Sequence, residues 1–433
     1  MATLPLVATH GALVAIYDLA RSPVFTYLFL GLAFASFFWA AKRLERAITA
    51  TAILVVATLL RLVLLPLPPT LSDDVLRYVW DGRVVTAGFN PYLLPPEAPE
   101  LTALRDELWQ RMPHREVPTV YPPLAQALFS VASWLPHPLI SIKILLCFVD
   151  LIGCWLLVRL AVRLDLPAGR AVWYAWNPLV TMEVAGMGHV DALGVAATVA
   201  AVGFLVASPR RPLAAGAAAA AGALAKLVPL VALPMWTRQS GGRFLAAAAG
   251  IVLAATLPVA VAGGGIPPGL VTYGISWEFN GPLYEPLWRL LEVLEVPALL
   301  KAQLEVLKGL TGHHELWNRC YPWVYPQLLA KGLLGGLLLG FILASLRRQH
   351  PATGSGRLLG GVLLCSATLY PWYSLWVLPW AALCRHRAWL TLSALLPLAY
   401  LPQLCGWPLF PWIYLGIWAP FFILLRSSSW SID

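Results

Sequence analysis

The chain has 433 residues, 59% of them hydrophobic and only 12% charged, with a mean hydropathy of +0.72. A soluble domain carries about twice that share of charge, which excludes a large water-soluble fold, and continuous rather than alternating apolar runs exclude a β-barrel. The net charge of +9 comes from basic residues gathered at the ends of apolar runs; that is a topology signal of helical membrane proteins, so the expected partner is an anionic lipid headgroup or lipid phosphate and not a nucleic acid.

The first apolar stretch, Leu4 to Tyr17, is short, a weak span or an interfacial helix. Arg21 is the first basic residue, so the positive start of a secretory signal peptide is not recognised. Val24 to Ala41 ends in Lys42, Arg43, Glu45 and Arg46, a turn that the positive-inside rule assigns to the cytoplasm. Ile48 to Leu67 then crosses outward and delivers SDDVLRYVWDGRVVTAGFNPY, Ser72 to Tyr92, to the exoplasmic side. This stretch predicts a short helix capped by Ser72 or Asp73 and stopped at Gly88, with a turn at Asn90-Pro91. Arg77 falls one turn from both Asp73 and Asp81 and can share their face. Residues 71–120 read as a folded exoplasmic loop, and Tyr121 to Leu135 as an interfacial piece or a dip from outside.

Leu139 to Leu160 returns to Arg159, Arg163 and Arg170. Two shorter runs, Ala171 to Ala185 and Val190 to Ala207, flank a break at Gly186 to Asp191, which falls on the exoplasmic side. Pro212 to Trp236 carries Lys226 in its middle and Pro229 just after. It is either one long helix with a buried lysine or a hairpin of two short helices with Lys226 at the exoplasmic tip. The hairpin is preferred, because Arg238 and Arg243 then join the other basic turns. Phe244 to Ala262 leads out to a second long exoplasmic loop, residues 263–325, with an amphipathic piece from Leu287 to Leu310. Gln327 to Leu346 returns to Arg347, Arg348 and His350, and the run to Leu369 leads out to the turn Tyr370-Pro371-Trp372-Tyr373. A short run then reaches Arg385, His386 and Arg387, and two last runs, broken at Trp407-Pro408, end at Arg426. The expectation is an all-α polytopic membrane protein, a single transmembrane domain over residues 1–433, with roughly 11–14 membrane segments including short and broken helices. The six cysteines sit mostly in apolar runs and suggest no disulfide framework.

Asp73 and Asp74, His189 and Asp191, Lys226, Trp277 to Glu285 and Tyr370 to Tyr373 all fall on one membrane face. Polar groups that converge inside apolar segments mark a candidate site. A lysine in an apolar helix costs roughly 2.5–3.5 kcal/mol, so Lys226 calls for a carboxylate such as Glu183 or Asp191, or for an anionic ligand, unless it snorkels. His189 and Asp191 lack further ligands at metal-binding spacing, so no metal site is expected; they suit either a helix break or a phosphate and sugar contact. The turn with Trp372 and Tyr373 suits an interfacial belt or the floor of a sugar or prenyl site. Asp73 and Asp74 suit a general base. A leaving phosphate needs no strong acid, only basic groups that hold its developing charge.

Four stretches carry a family likeness. The Ser72–Tyr92 stretch resembles the first exoplasmic loop of GT-C fold glycosyltransferases that use polyprenol-phosphate sugars, in particular the bacterial and archaeal polyprenol-phosphate-mannose-dependent α-mannosyltransferases. NPLVTMEVAGMGHVDALG (Asn177–Gly194), ALAKLVPLVALP (Ala223–Pro234) and YPWYSLWVLPW (Tyr370–Trp380) resemble later motifs of that branch, in the same order. The resemblance implies a GT-C fold and an inverting transfer of a hexose, mannose first, from a polyprenyl-phosphate donor. The expected acceptor is a lipid-linked or cell-envelope glycan or protein at the outer face of the plasma membrane, and no cofactor is expected. Asp73 maps to the catalytic base with Asp74 second. Lys226, His189 and Asp191 map near the donor phosphate and sugar; Arg77, Trp372 and Tyr373 are assigned to the same donor site from their place on that membrane face. Val190 stands where the branch usually has a polar residue, commonly Asn, which bears on the identity of the sugar. The alternative is a lipid-linked sugar transporter or flippase, which would want an inward-facing polar path; Asp150 is the main buried polar residue in that half.

Overall fold

A computed structural model describes residues 2–347 and 349–432. Met1, Asp433 and Arg348, one of the basic residues expected at the cytoplasmic turn, lie outside the described residues. Among the described residues there is no strand, only isolated bridges from Phe279 and Asn280 to Thr368. Among the described residues, five helices are long and apolar enough to cross a membrane: Pro23–Leu44, Pro138–Arg163, Gly242–Gly263, Pro326–Ser345 and Arg387–Cys405. Shorter apolar helices, among them Leu4–Ile16, Ala50–Leu64, Asp191–Leu205 and Pro212–Ala225, fill the bundle between them. This is an all-α polytopic membrane protein.

Small residues set the closest packing. Asp191–Leu205 and Pro212–Ala225 are rich in alanine and glycine and lie side by side, the first also against Pro138–Arg163. Small side chains let helix backbones approach where lipid offers no hydrophobic drive to associate. Gly242–Gly263 packs on Pro212–Ala225 but is otherwise open, with Leu253, Leu257 and Val261 exposed as a lipid-facing surface.

Two buried polar clusters fix the frame. Glu45 forms an ion pair with Arg170 Nε (2.7 Å) and accepts from Arg385 Nε (2.8 Å) and Trp173 Nε1 (2.9 Å), so three turns assigned to one side of the membrane do meet. Deeper in the bundle, Arg61 and Asp150 form an ion pair with both side chains buried. Arg61 also donates to the carbonyls of Ala57 (2.8 Å) and Ala175 (2.9 Å), and Tyr174 donates to Asp150 at 2.7 Å. A buried pair survives desolvation only when its remaining polar atoms are satisfied in this way. Lys143 Nζ donates to the carbonyls of Leu65 (2.7 Å) and Leu67 (2.6 Å), which seals the end of Ala50–Leu64 just before the acidic motif.

The acidic helix runs Asp74–Thr86 and is followed by Gly88 at φ +85°. Neither expected cap forms as a helix cap. Asp73 sits at φ −96°, ψ 0°, outside the extended region a capping residue adopts, and Ser72 Oγ only accepts from Asp74 N at 3.4 Å. The helix lies backbone-close on Pro123–Trp134, because a Cβ at Gly82 would fall 2.3 Å from the carbonyl oxygen of Phe129. Of the two carboxylates within one turn of Arg77, Asp81 is the one it pairs with. Arg77 Nε bonds Asp81 at 2.8 Å, and its Nη atoms donate to the carbonyls of His114 and Val117, so it clamps the first loop. Asp81 is held for this by Thr119 and Gln126.

The hairpin expected around Lys226 is present. Pro212–Ala225 ends at Lys226, a tight turn Val228–Ala232 follows, and Leu233–Ser240 runs back until Gln239 O accepts from Arg210 at 3.2 Å. The amphipathic piece expected as one unit is two helices, Tyr284–Val293 and Val296–Thr311. Glu295 at φ +52° and Pro297 behind it break the run.

Candidate active site

Ala50–Leu64 leaves the Glu45 end of the bundle and delivers the acidic helix to the other. There a cavity of about 590 Å³ opens. Its walls come from six separated parts of the chain. Asp73, Asp74 and Arg77 belong to the acidic helix, His114 and Tyr121 to the first loop, and Lys226 to the hairpin tip. Tyr273, Trp277 and Phe279 belong to the second loop, and Tyr370, Trp372, Tyr373 and Trp376 to the aromatic turn, with Tyr400 and Gln403 closing the ring.

Lys226 finds its counter-charge in Asp191 and not Glu183. Lys226 Nζ lies 2.8 Å from both carboxylate oxygens and 4.4 Å from the centre of the Tyr373 ring, a cation–π contact. Trp376 Nε1 donates to the same carboxylate at 2.6 Å. Asp191 opens helix Asp191–Leu205, where the free N–H groups and the dipole favour a negative charge. Trp376 fits there because Gly194 lacks a side chain: a Cβ would lie 2.1 Å from Trp376 Cη2.

His189 is fully buried. Its ring stacks on Trp372 at 3.8 Å, with Nε2 3.2 Å from Glu183 Oε2 and Nδ1 3.7 Å from Asp74 Oδ2. The stack continues through Tyr370 (4.6 Å, 3° from Trp372) to Phe279 (4.6 Å, 17°), so four rings form one floor. Phe279 is held by backbone bonds to Ala367 (3.0 Å) and Leu369 (2.7 Å), and the Tyr273 and Tyr373 hydroxyls meet at 2.5 Å. The second loop is thereby docked onto the aromatic turn.

Of the residues singled out from sequence, Asp73, Asp74, Arg77, Lys226, Trp372 and Tyr373 line the cavity. His189 and Asp191 stand directly behind that lining, wholly buried. Trp376, Tyr400, Tyr273 and His114 were not foreseen. Trp376 lies inside a recognised motif, but its bond to Asp191 has no local signature; Tyr400 sits in an apolar run and carries no signal at all.

Asp74 is 35% exposed, at the cavity wall. Burial pushes its carboxyl up to about 6, with Asp191 and Asp73 adding to the rise and Lys226 opposing it. Burial also raises Asp73, against the pull of Arg111. A carboxylate poised near neutrality is suited to take a proton from a hydroxyl. Among the described residues no three His, Cys, Asp or Glu side chains gather as a metal-binding group.

Fold and cavity define a multi-pass membrane protein with a polar, aromatic-floored cavity at one end of the bundle. Residues 4–239 match the family described as "Alpha-(1->6)-mannopyranosyltransferase, N-terminal domain", and the chain belongs to that family. It is also 27% identical over 373 residues to a Mycolicibacterium smegmatis protein described as "Probable alpha-(1->6)-mannopyranosyltransferase". That match covers 74% of this chain, which spans 63% of the relative's length. No solved structure matches the chain.

Proposed function

We propose that the protein is an inverting mannosyltransferase that works at the outer face of the plasma membrane. It takes the sugar from a polyprenyl-phosphate donor and passes it to a lipid-linked or cell-envelope glycan or protein acceptor. The observation that carries this reading is the cavity itself: two carboxylates and Lys226 share one wall system above a floor of stacked rings. The names of the family and of the mycobacterial relative add mannose and the α-(1→6) linkage.

In this mechanism Lys226 and the raised aromatic turn hold the donor phosphate and sugar. An acidic side chain removes the acceptor proton as the hydroxyl oxygen attacks the anomeric carbon. The phosphate leaves with the bonding electrons, and Lys226 offsets its charge. Sequence resemblance favours Asp73 as the base. What supports Asp74 is its place, facing His189 and near Lys226, and its carboxyl raised toward neutrality. We assign the base role to Asp74 and the flanking, acceptor-side position to Asp73. The transporter alternative is weakened because Asp150, the main polar residue of the opposite half, is sealed by Arg61 and Tyr174.

The test is transfer of radiolabelled mannose from polyprenyl-phosphate-mannose to a cell-envelope acceptor extract by purified protein, with and without EDTA. The expected result is activity that survives EDTA, is abolished by Asp74→Asn and is reduced by Asp73→Asn. Full activity in Asp74→Asn would refute that base assignment, and lipid translocation without transfer would refute the enzyme reading.

A further inference from the structure

Behind Asp74 lie buried groups that the transfer step above does not use. His189 Nδ1 faces Asp74 Oδ2 at 3.7 Å, and Nε2 faces Glu183 Oε2 at 3.2 Å on the opposite side of the ring. Tyr400 donates to the other Glu183 oxygen, Oε1, at 2.9 Å, and Tyr400 again reaches the cavity wall. Glu183 lies in a π-helical turn, Met182–Gly186, an irregularity common at functional sites. The backbone N–H of His189 donates to the Glu183 carbonyl at 2.9 Å, so the break itself holds the two side chains together. Trp372, flat against the imidazole, fixes the plane of the ring. Both ring nitrogens and Glu183 Oε2 are buried without an aligned hydrogen bond. Buried polar atoms are rarely left so, and here each points at a group able to give or take a proton.

We propose that His189 and Glu183 form a proton chain behind Asp74, which takes inward the proton that Asp74 removes from the acceptor. The inference rests on reading Asp74 as the base. The acceptor O–H bond breaks and its proton goes to Asp74, while the oxygen bonds the anomeric carbon. The bond from that carbon to the phosphate oxygen breaks, and the electron pair leaves with the phosphate. Asp74 passes its proton to His189 Nδ1, and the proton on Nε2 passes to Glu183 Oε2, which enters the step ionised; the relay therefore runs in molecules whose Glu183 has already released its own proton, a share that grows with pH. One proton leaves the acceptor and one arrives at Glu183. Tyr400 holds the far oxygen of Glu183, so the near one stays turned to the ring. The other groups that face the chain are Lys226, Asp191, Asp73 and His114 around Asp74, and Asp191 and Tyr400 around Glu183. His189 and Glu183 do not touch substrate; they act through Asp74, by carrying its proton onward.

The test uses the full chain in lipid nanodiscs, labelled with ¹⁵N-histidine, the His189 signal being assigned by its loss in His189→Gln. In the wild type the His189 ring should be neutral with its proton on Nε2, and its shift should follow Asp74 through an inflection near pH 6. Asp74→Asn should remove the inflection. Glu183→Gln should move the ring proton between nitrogens, and Glu183→Asp should restore the wild-type form in part. A His189 signal indifferent to Asp74→Asn and Glu183→Gln overturns the chain, whether or not mannose is transferred. In the transfer assay Glu183→Gln should lower kcat about tenfold, a fraction of what proton transfer contributes, with the donor KM unchanged and the acid limb displaced. An unchanged pH profile overturns the chain as well. Coupled histidine signals in a protein that transfers no sugar support the chain's geometry and sink the mannosyltransferase reading instead.

Discussion

The Lys226–Asp191 pair yields an unequal pair of substitutions. Asp191 is fully buried, whereas Lys226 keeps 20% exposure at the cavity wall. Removing one member of a buried pair costs about 3–5 kcal/mol, because the survivor is stranded. In Lys226→Met the stranded group is the buried carboxylate, with Trp376 Nε1 at 2.6 Å as its one remaining side-chain donor. That bond offsets part of the cost, and a loss of about 3 kcal/mol is expected. In Asp191→Asn the lysine can turn to water in the cavity, and the amide oxygen still accepts from Trp376. A loss of about 1 kcal/mol is expected there. The double variant should be no worse than Lys226→Met alone, giving a coupling of at least about 1 kcal/mol between the sites. Reversible unfolding by SDS, followed by tryptophan fluorescence in mixed micelles, measures all four corners of this cycle. Lys226→Met as stable as the wild type, or more stable than Asp191→Asn, would refute the pairing and the burial argument together.

Mannose transfer should fall about tenfold between pH 7 and pH 5, since a carboxyl near 6 is about nine-tenths ionised at the first and one-tenth at the second; a flat rate profile would count against Asp74 as the base. The same group stabilises the folded state in acid, fully below its ordinary value of 3.8, and that contribution is lost as pH rises through about 6. Asp74→Asn should therefore flatten the denaturation midpoint across that interval. Gly194→Ala drives a methyl to within 2.1 Å of Trp376 Cη2; an overpacking loss of about 1–3 kcal/mol is expected, with shifted tryptophan emission, and an unaltered spectrum would show that the indole is not lodged there. Arg61→Met should destabilise by about 3–5 kcal/mol, whereas Arg61→Met/Asp150→Leu should recover most of that loss, as read by SDS unfolding.

Much of the frame was readable in the chain because lipid imposes strong rules. Run length and terminal arginines placed the long helices, and Lys226 with its nearby prolines announced a hairpin. The convergence of Asp74, Lys226 and Trp372 followed from topology alone, since only one membrane face was open to them. Contacts that depend on angle about a helix were not readable. Arg77 is equidistant in sequence from Asp73 and Asp81, but Asp73 lies before the helix while Asp81 sits inside it, held by Thr119 and Gln126, and Arg77 pairs with Asp81. Glu183 and Asp191 were equal candidates for Lys226 until the bend at Met182–Gly186 turned Glu183 toward His189 and Tyr400. Tyr400 shows the limit: its partner lies 217 positions away, and no local pattern marks either end.

The donor from Trp376 to Asp191 also sets an order of events during synthesis. Asp191 and Lys226 emerge 35 residues apart, but Trp376 follows Lys226 by another 150 (376 − 226). At roughly 5–20 residues per second, the lysine reaches the aspartate within seconds, while the indole arrives roughly 8–30 s after the lysine. For that interval the nascent bundle depends on one ion pair to keep a carboxylate in its interior. The aromatic turn then closes over a site whose charges are already balanced, and a chain that stalls before it would hold the pair without the floor.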